Sequence, residues 1–243
     1  MARDLLDLLW RDHPSAPTRG VRGPRPRVST GQVVAAAVAL ADADGLPAVA
    51  ARPLAAVLGV SPMALYHYVG PQEDLHVLMA DVVNGATARS AFGRRRLAAR
   101  VRLVAQANLD LHTAHPWLLD VADERVALGP GTIAKYDHEL AAFDGSGLDA
   151  LQTDAALTFV LDFARSAARA RLAHAKAARL AGQWAQWAPR LEAYLGDSHP
   201  RAQSIGAAAG EALDGTYSPD HAWRFGLDRV VASIEDLVAA LAR

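Results

Sequence analysis

The stretch Leu54-Ala-Ala-Val-Leu-Gly-Val-Ser-Pro-Met-Ala-Leu-Tyr-His-Tyr-Val69 decides the reading of this 243-residue chain. It predicts two short helices, over 51–58 and 62–68, meeting at Gly59-Val60. Helices that cross at a wide angle need a small residue where they touch, and Ala55 supplies it. The turn between them needs a residue at ease with positive φ, which is Gly59. Ser61 is placed to cap the second helix and Pro62 to occupy its first position. Val60 and Leu65 fill the angle, with Leu54 and Leu58 turned toward a third helix. Met63, Ala64, Tyr66, His67 and Tyr68 are left mostly facing outward. An ordinary helical corner explains Ala55, Gly59 and Leu65 but not that polar, aromatic outer face, which suits a groove in DNA.

Working outward, Ser29-Thr-Gly-Gln32 reads as a capping box. It opens a helix to about residue 43 with Val33, Val34, Val38 and Leu40 on its apolar side, ended by Gly45-Leu-Pro47. A longer helix starts near Pro71 and carries Leu75, Leu78, Met79, Val82 and Val83 on one stripe. Further helices are predicted over about 94–114, 117–127, 131–143, 149–181, 183–195 and 219–241. His199 to Ser218, rich in Ala, Gly and Ser, reads as a long loop with room for one helical turn. Nothing alternates with period two, so the fold class is all-α.

Lys and Arg number 25 against 26 Asp and Glu, a net charge of −1. That neutrality is an average, because residues 1–100 hold twelve Arg and eight acids, and the excess of acid lies behind them. His13 to Arg27 carries Arg19, Arg22, Arg25 and Arg27 with no acid, among Pro and Gly. It reads as a flexible arm behind a short amphipathic helix (Leu5, Leu6, Leu8, Leu9, Trp10). Basic arms reach into minor grooves, and a solvated linker fits the same composition. Half the residues are hydrophobic, which excludes disorder of the whole chain. There is no Cys, so disulfides and thiolate sites are excluded. Asp4 and Asp7 interrupt what a signal peptide needs, and the apolar run 33–41 is too short to span a bilayer. A soluble, cytoplasmic protein is expected.

From Val28 to about Met79 the sequence resembles the TetR family of one-component repressors. The resemblance rests on the capped first helix, on Arg52-Pro-Leu-Ala-Ala-Val-Leu-Gly-Val, and on the Leu-Tyr-x-x-Val ending followed by Pro71-x-x-Asp-Leu75. His115-Pro-Trp117 and Phe225-Gly-Leu-Asp-Arg-Val-Val231 look more loosely like the C-terminal domain of the tetracycline-repressor branch. The resemblance implies an N-terminal helix and arm (1–27), a three-helix helix-turn-helix head (28–75), and a larger effector-binding and dimerisation domain (76–243). Arg52, Met63, Ala64 and His67 would then meet base edges, and Tyr66 and Tyr68 phosphates. Thr30 would be a further phosphate contact, and Arg25 and Arg27 would act from the arm. Three departures weaken that grip. Ala50 and Ala51 stand where Ser or Thr is usual, removing a cap worth about 1 kcal/mol. Pro53 replaces a frequently basic residue, and Gln72 a phosphate-binding Lys.

In the rear half, Phe225, Leu227, Val230, Val231, Ile234, Leu237, Val238 and Leu241 form a wide apolar stripe. Leu157 to Ala168 offers a partner face, and the resemblance implies a four-helix homodimer interface; packing within one chain is the alternative. Aromatic and His side chains gather between: His112, Trp117, Tyr136, Phe159, Phe163, Trp184 and Trp187 are the expected lining of an effector pocket for an apolar or aromatic molecule. His112 and His115, with His138 and Glu139, are a weak basis for a metal site, and no metal or cofactor is expected. No Ser/His/Asp ordering, phosphate loop or His-Glu-x-x-His points to an enzyme. The expected function is a ligand-responsive repressor on a palindromic operator. The alternatives are a helical carrier or enzyme using the rear cavity, or a DNA-binding regulator without effector control.

Overall fold

The computed structural model describes residues 4–16, 27–177, 181–213 and 217–242, and gives no side-chain account at 177, 181–185 and 188. Among the described residues there are eleven α-helices and no strand. The head is built from α1 (Leu5–Leu9), α2 (Thr30–Asp44), α3 (Ala51–Leu58), α4 (Pro62–Val69) and the upper part of α5 (Gln72–Ala86). The predicted capping box is present: Ser29 Oγ accepts from Gln32 N, and the Gln32 side chain accepts from Ser29 N. The head core gathers Val33, Val34, Leu54, Leu65 and Leu78 with Leu8 of α1, all buried, and is closed from below by Leu111 and Trp117. The short N-terminal helix is therefore part of the head, and Trp10 Nε1 donates to the Leu128 carbonyl.

The rear comprises α6 (Leu97–Ala114), α7 (Pro130–Leu140), α8 (Ala150–Ala177), α9 (Ala181–Leu195), α10 (Pro200–Leu213) and α11 (Pro219–Leu241). A second core joins α6, α8 and α11 through Val101, Leu109, Leu157, Val160, Ala164, Val230 and Ile234. Leu227, Val230, Val231 and Ile234 of the C-terminal stripe thus pack within the chain, whereas Phe225, Leu237 and Leu241 stay exposed. The expected boundary at residue 75 falls inside α5, which runs unbroken from head to rear.

Two expectations are corrected. Residues 117–127 are not one helix but two 3-10 turns, Pro116–Asp120 and Glu124–Leu128. Asp123 interrupts them, because its carboxylate accepts from Arg125 N and starts a new turn. The expected loop after His199 holds α10, opened by Pro200 at its first position. Five Ala between 202 and 212 outweigh Gly206 and Gly210 there.

Candidate nucleic-acid interface and ligand cavity

The helix-turn-helix closes as its sequence dictates. Gly59 takes φ 66°, ψ 32°, the left-handed conformation that ends α3, and its own N–H returns to Ala55 and Ala56 carbonyls. Ser61 Oγ accepts from Ala64 N at 3.3 Å and Pro62 begins α4. Leu65 and Val69 are buried, which turns the other side of the helix to solvent. Met63 is 70% exposed and Tyr66 48%, His67 is exposed, and Ala64 and Tyr68 are half-buried. Tyr68 leans on the head core. Arg52, in the first turn of α3, is exposed. Ala50, before it, makes no side-chain cap.

Thr30, expected to meet a phosphate, and Gln72, which replaces the phosphate-binding Lys that the resemblance implies, both hydrogen-bond within the head. Thr30 is buried, and its hydroxyl donates to the Tyr68 carbonyl at 2.9 Å, tying the start of α2 to the end of α4. Gln72 Nε2 donates to the Val49 carbonyl at 3.1 Å, so it braces α5 against the approach to α3. Arg27 is exposed. Arg25 lies outside the described residues.

Behind the head, a cavity of about 510 Å³ lies between α5, α6, α7, α8 and the two 3-10 turns. Of the seven side chains expected to line it, His112 and Tyr136 do. Trp117 is instead core: its Nε1 donates to Asp42 Oδ1 at 2.7 Å, the same oxygen that lies 2.7 Å from His115 Nδ1. Those two bonds fasten α2 to the Pro116–Asp120 turn. Phe163 stacks on Trp223 with ring centroids 5.1 Å apart, Phe159 faces outward, and Trp187 is exposed. The side chain of Trp184 lies outside the described residues.

The walls are more polar than expected. Leu111, Leu118, Val121 and Val126 give one apolar side. Opposite, Lys135 Nζ donates to Asn108 Oδ1 (2.8 Å) and to both Glu139 oxygens (2.7 and 2.8 Å), while Asn108 Nδ2 donates to Glu139 Oε1 at 2.6 Å. Burial pushes the Lys135 ammonium down, against the pull of Glu139. His112 is held neutral: burial first, then the charges of Arg165, Lys135 and Arg169, lower it to about 4. Tyr136 donates its hydroxyl to Asp154 at the rim. The Asn108–Lys135–Glu139 cluster and Arg165 are absent from the expected lining. A signal for Lys135 existed, since it is one of two Lys beside 23 Arg and stands four residues before Glu139 on one helix face.

The cavity wall is joined to the head. Arg125, next to lining residues Asp123, Glu124 and Val126, donates from Nη1 to Asp74 Oδ1 at 2.7 Å and from Nη2 to Asp123 Oδ2 at 2.7 Å. Asp74 is buried in the first turn of α5. A Cβ at Gly70, the residue that ends α4 with φ 72°, would run into it. Lower down, Asp81 of α5 accepts from Thr132 N at 2.8 Å and caps α7. Gly85 and Gly131 meet backbone to backbone, with no room for a side chain on either.

No model of a known protein family matches the chain. It is 33% identical, over 242 residues, to the HTH-type transcriptional repressor DrrR1 of Streptomyces coeruleorubidus, covering 96% of this chain and 86% of that protein. Its fold is similar to that of ActR of Streptomyces coelicolor without ligand, with a TM-score of 0.70 and 21% identity over 89% of this chain and 99% of ActR. ActR in complex with actinorhodin aligns with a TM-score of 0.68 at 23% identity, again over 89% of this chain and 99% of ActR. The TetR regulator SCO7222 of the same organism gives 0.63 at 21% identity, over 86% of this chain and 99% of that one. A helix-turn-helix head with a solvent-facing second helix, set on a larger helical domain with a cavity, is the architecture of helix-turn-helix regulators. The chain belongs to the TetR family of transcriptional regulators. Among the described residues no group of three or more His, Asp or Glu could hold a metal ion, and no helix is long and apolar enough to cross a membrane.

Proposed function

We propose that the chain is a homodimeric repressor whose two α3–α4 units read the halves of a palindromic operator, and that a small molecule in the rear cavity releases the DNA. The carrying observation is the continuity from cavity wall to reading head. The stretch that borders the cavity bears Arg125, Arg125 grips Asp74, and Asp74 lies against Gly70 at the joint between α4 and α5. A body that displaces this wall therefore acts on the joint that aims α4. The α7 route runs in parallel, from the Lys135–Glu139 wall to the Asp81 and Gly85 contacts on α5. An effector shifts the balance only by its difference in affinity for the two arrangements.

One α4 offers few base contacts, and two-fold pairing doubles them. Phe159 on α8 and Phe225, Leu237 and Leu241 on α11 remain exposed on the helices whose other sides form the rear core. An apolar face of that kind favours a second copy of the chain. ActR, which shares the fold, has been crystallised with actinorhodin, and that supports reading this cavity as an effector site. The test is sedimentation of the purified protein alone and with an operator duplex. The expected result is two chains alone and two chains per duplex, with Phe225→Glu giving monomers that no longer hold the DNA. Monomers that bind the operator as tightly would refute the proposal.

A further inference from the structure

The inner end of the cavity has one polar side chain whose partner the protein does not supply. Asn108, Lys135 and Glu139 satisfy one another there, all three protons of Lys135 being spent within the cluster. His112 sits one helical turn beyond Asn108 and is 8% exposed, yet its buried Nδ1 has no hydrogen-bond partner. A buried polar group left unpaired is destabilising, and a ligand that pairs with the ring can recover that loss. The charged groups facing His112 are mostly positive. Arg165 and Arg169 come from α8, and Lys135 comes from α7. Glu139, the carboxylate of that wall, is already covered by Lys135 and Asn108. Arg169 is engaged with the Leu119 carbonyl, whereas Arg165 borders the cavity and makes no hydrogen bond or ion pair among the described residues. Along the other wall Leu118, Val121 and Val126 offer apolar surface. The carboxylates of Glu124 and of Asp123, the latter covered by Arg125, border the cavity there, so an anionic group is directed away from that wall to the His112 end.

We propose that the cavity takes an amphiphile with an apolar body and one anionic oxygen group, and that His112 and Arg165 receive that group. The inference rests on reading the cavity as the effector site, and it names the chemistry that site selects. Arg165 supplies the charge and a fork of N–H donors. His112 supplies a ring N–H at the desolvated end, where a charge-assisted bond is strongest. The apolar body lies against the 118–126 wall, next to Arg125, so the same molecule touches the strap that reaches Asp74.

Two probes that differ in one group separate the outcomes: 8-anilinonaphthalene-1-sulfonate and its uncharged parent, N-phenyl-1-naphthylamine. Each is titrated into the full chain by fluorescence. The sulfonate is expected to bind at least about tenfold more tightly than the parent. His112→Leu and Arg165→Gln are each expected to remove most of that margin, read as the ratio of the two affinities within each variant. Arg165 is exposed, so its variant carries the test even where His112→Leu fails to fold. Equal affinity for the two probes, or variants that leave the margin intact, would overturn the anionic preference while the cavity stands as a ligand site. Failure of both probes to bind the wild-type chain would overturn the preference and the effector reading together.

Discussion

At the residue scale, His112 and Arg52 show how one side chain links to a measurable property. His112 has a folded pKa of about 4 against an ordinary 6.5, with burial as the first cause. The unfolded chain therefore binds a proton through this window that the folded chain refuses. Stability present above pH 6.5 is lost as the pH falls toward 4, by roughly 3 kcal/mol for the full shift. His112→Gln should flatten that part of a denaturation-against-pH profile, and an unchanged slope would show that the imidazole is not held neutral. Arg52 is exposed at the start of α3, where its guanidinium is free to reach a base edge. Arg52→Ala is expected to weaken operator binding by about 1–3 kcal/mol and to relax preference at one base step. Equal binding to operators mutated at each step, before and after the substitution, would remove Arg52 from the readout. Thr30 serves a different end: its hydroxyl is committed to the Tyr68 carbonyl, so its contribution is to hold α2 against α4.

At the element scale, what was legible in the sequence was what is decided within a few residues. The α3–α4 corner follows from Gly59, Ser61 and Pro62, and the start of α2 from Ser29 and Gln32, because each of those groups satisfies a neighbour's backbone. The cavity lining was not legible in that way. Trp117 and Phe163 look like pocket aromatics by type, yet Asp42, 75 residues away, claims one indole and Trp223 stacks on the other ring. Asn108 and Glu139 meet only because the fold brings α6 and α7 to the same cavity, which no local pattern reports. At α10 the reason is local instead: Gly206 and Gly210 obscured a helix that Ala sustains. The close approach of α5 and α7 gives a sharp prediction. Gly131→Ala would drive a methyl into the Asp81 carbonyl and Gly85. It should lower stability by about 1–3 kcal/mol, read as a shift in denaturant midpoint, whereas Gly206→Ala, with open space around it and no positive φ, lacks any such clash. Arg125→Ala should leave ligand affinity nearly intact and weaken ligand-driven release of DNA, measured by anisotropy of labelled operator with and without 8-anilinonaphthalene-1-sulfonate. Release as complete as in the wild type would exclude the Arg125–Asp74 strap as the link.

At the scale of the whole molecule, the net charge of −1 conceals a basic front carried on an acidic rear. The structure adds that the front is anchored at its own beginning, since Leu8 and Leu9 of α1 are buried in the head core. Removing residues 1–27 would therefore damage the head as well as the arm. The cleaner variant replaces Arg19, Arg22, Arg25 and Arg27 by Ala and keeps α1. If the arm meets phosphates, the dependence of log K on log salt should become shallower by about 0.9 for each phosphate that is no longer neutralised; an identical slope would make the segment a linker. The central claim is that the outward face of α4, presented twice, reads DNA. It is tested most directly by nuclease protection of the DNA flanking the chain's own gene, using wild-type protein and a Met63→Glu, His67→Glu variant. A two-fold symmetric protected site is expected, with half-sites about one helical turn apart, present with the wild type and absent with a variant that remains folded. Protection without symmetry, or the same protection from both proteins, would contradict it.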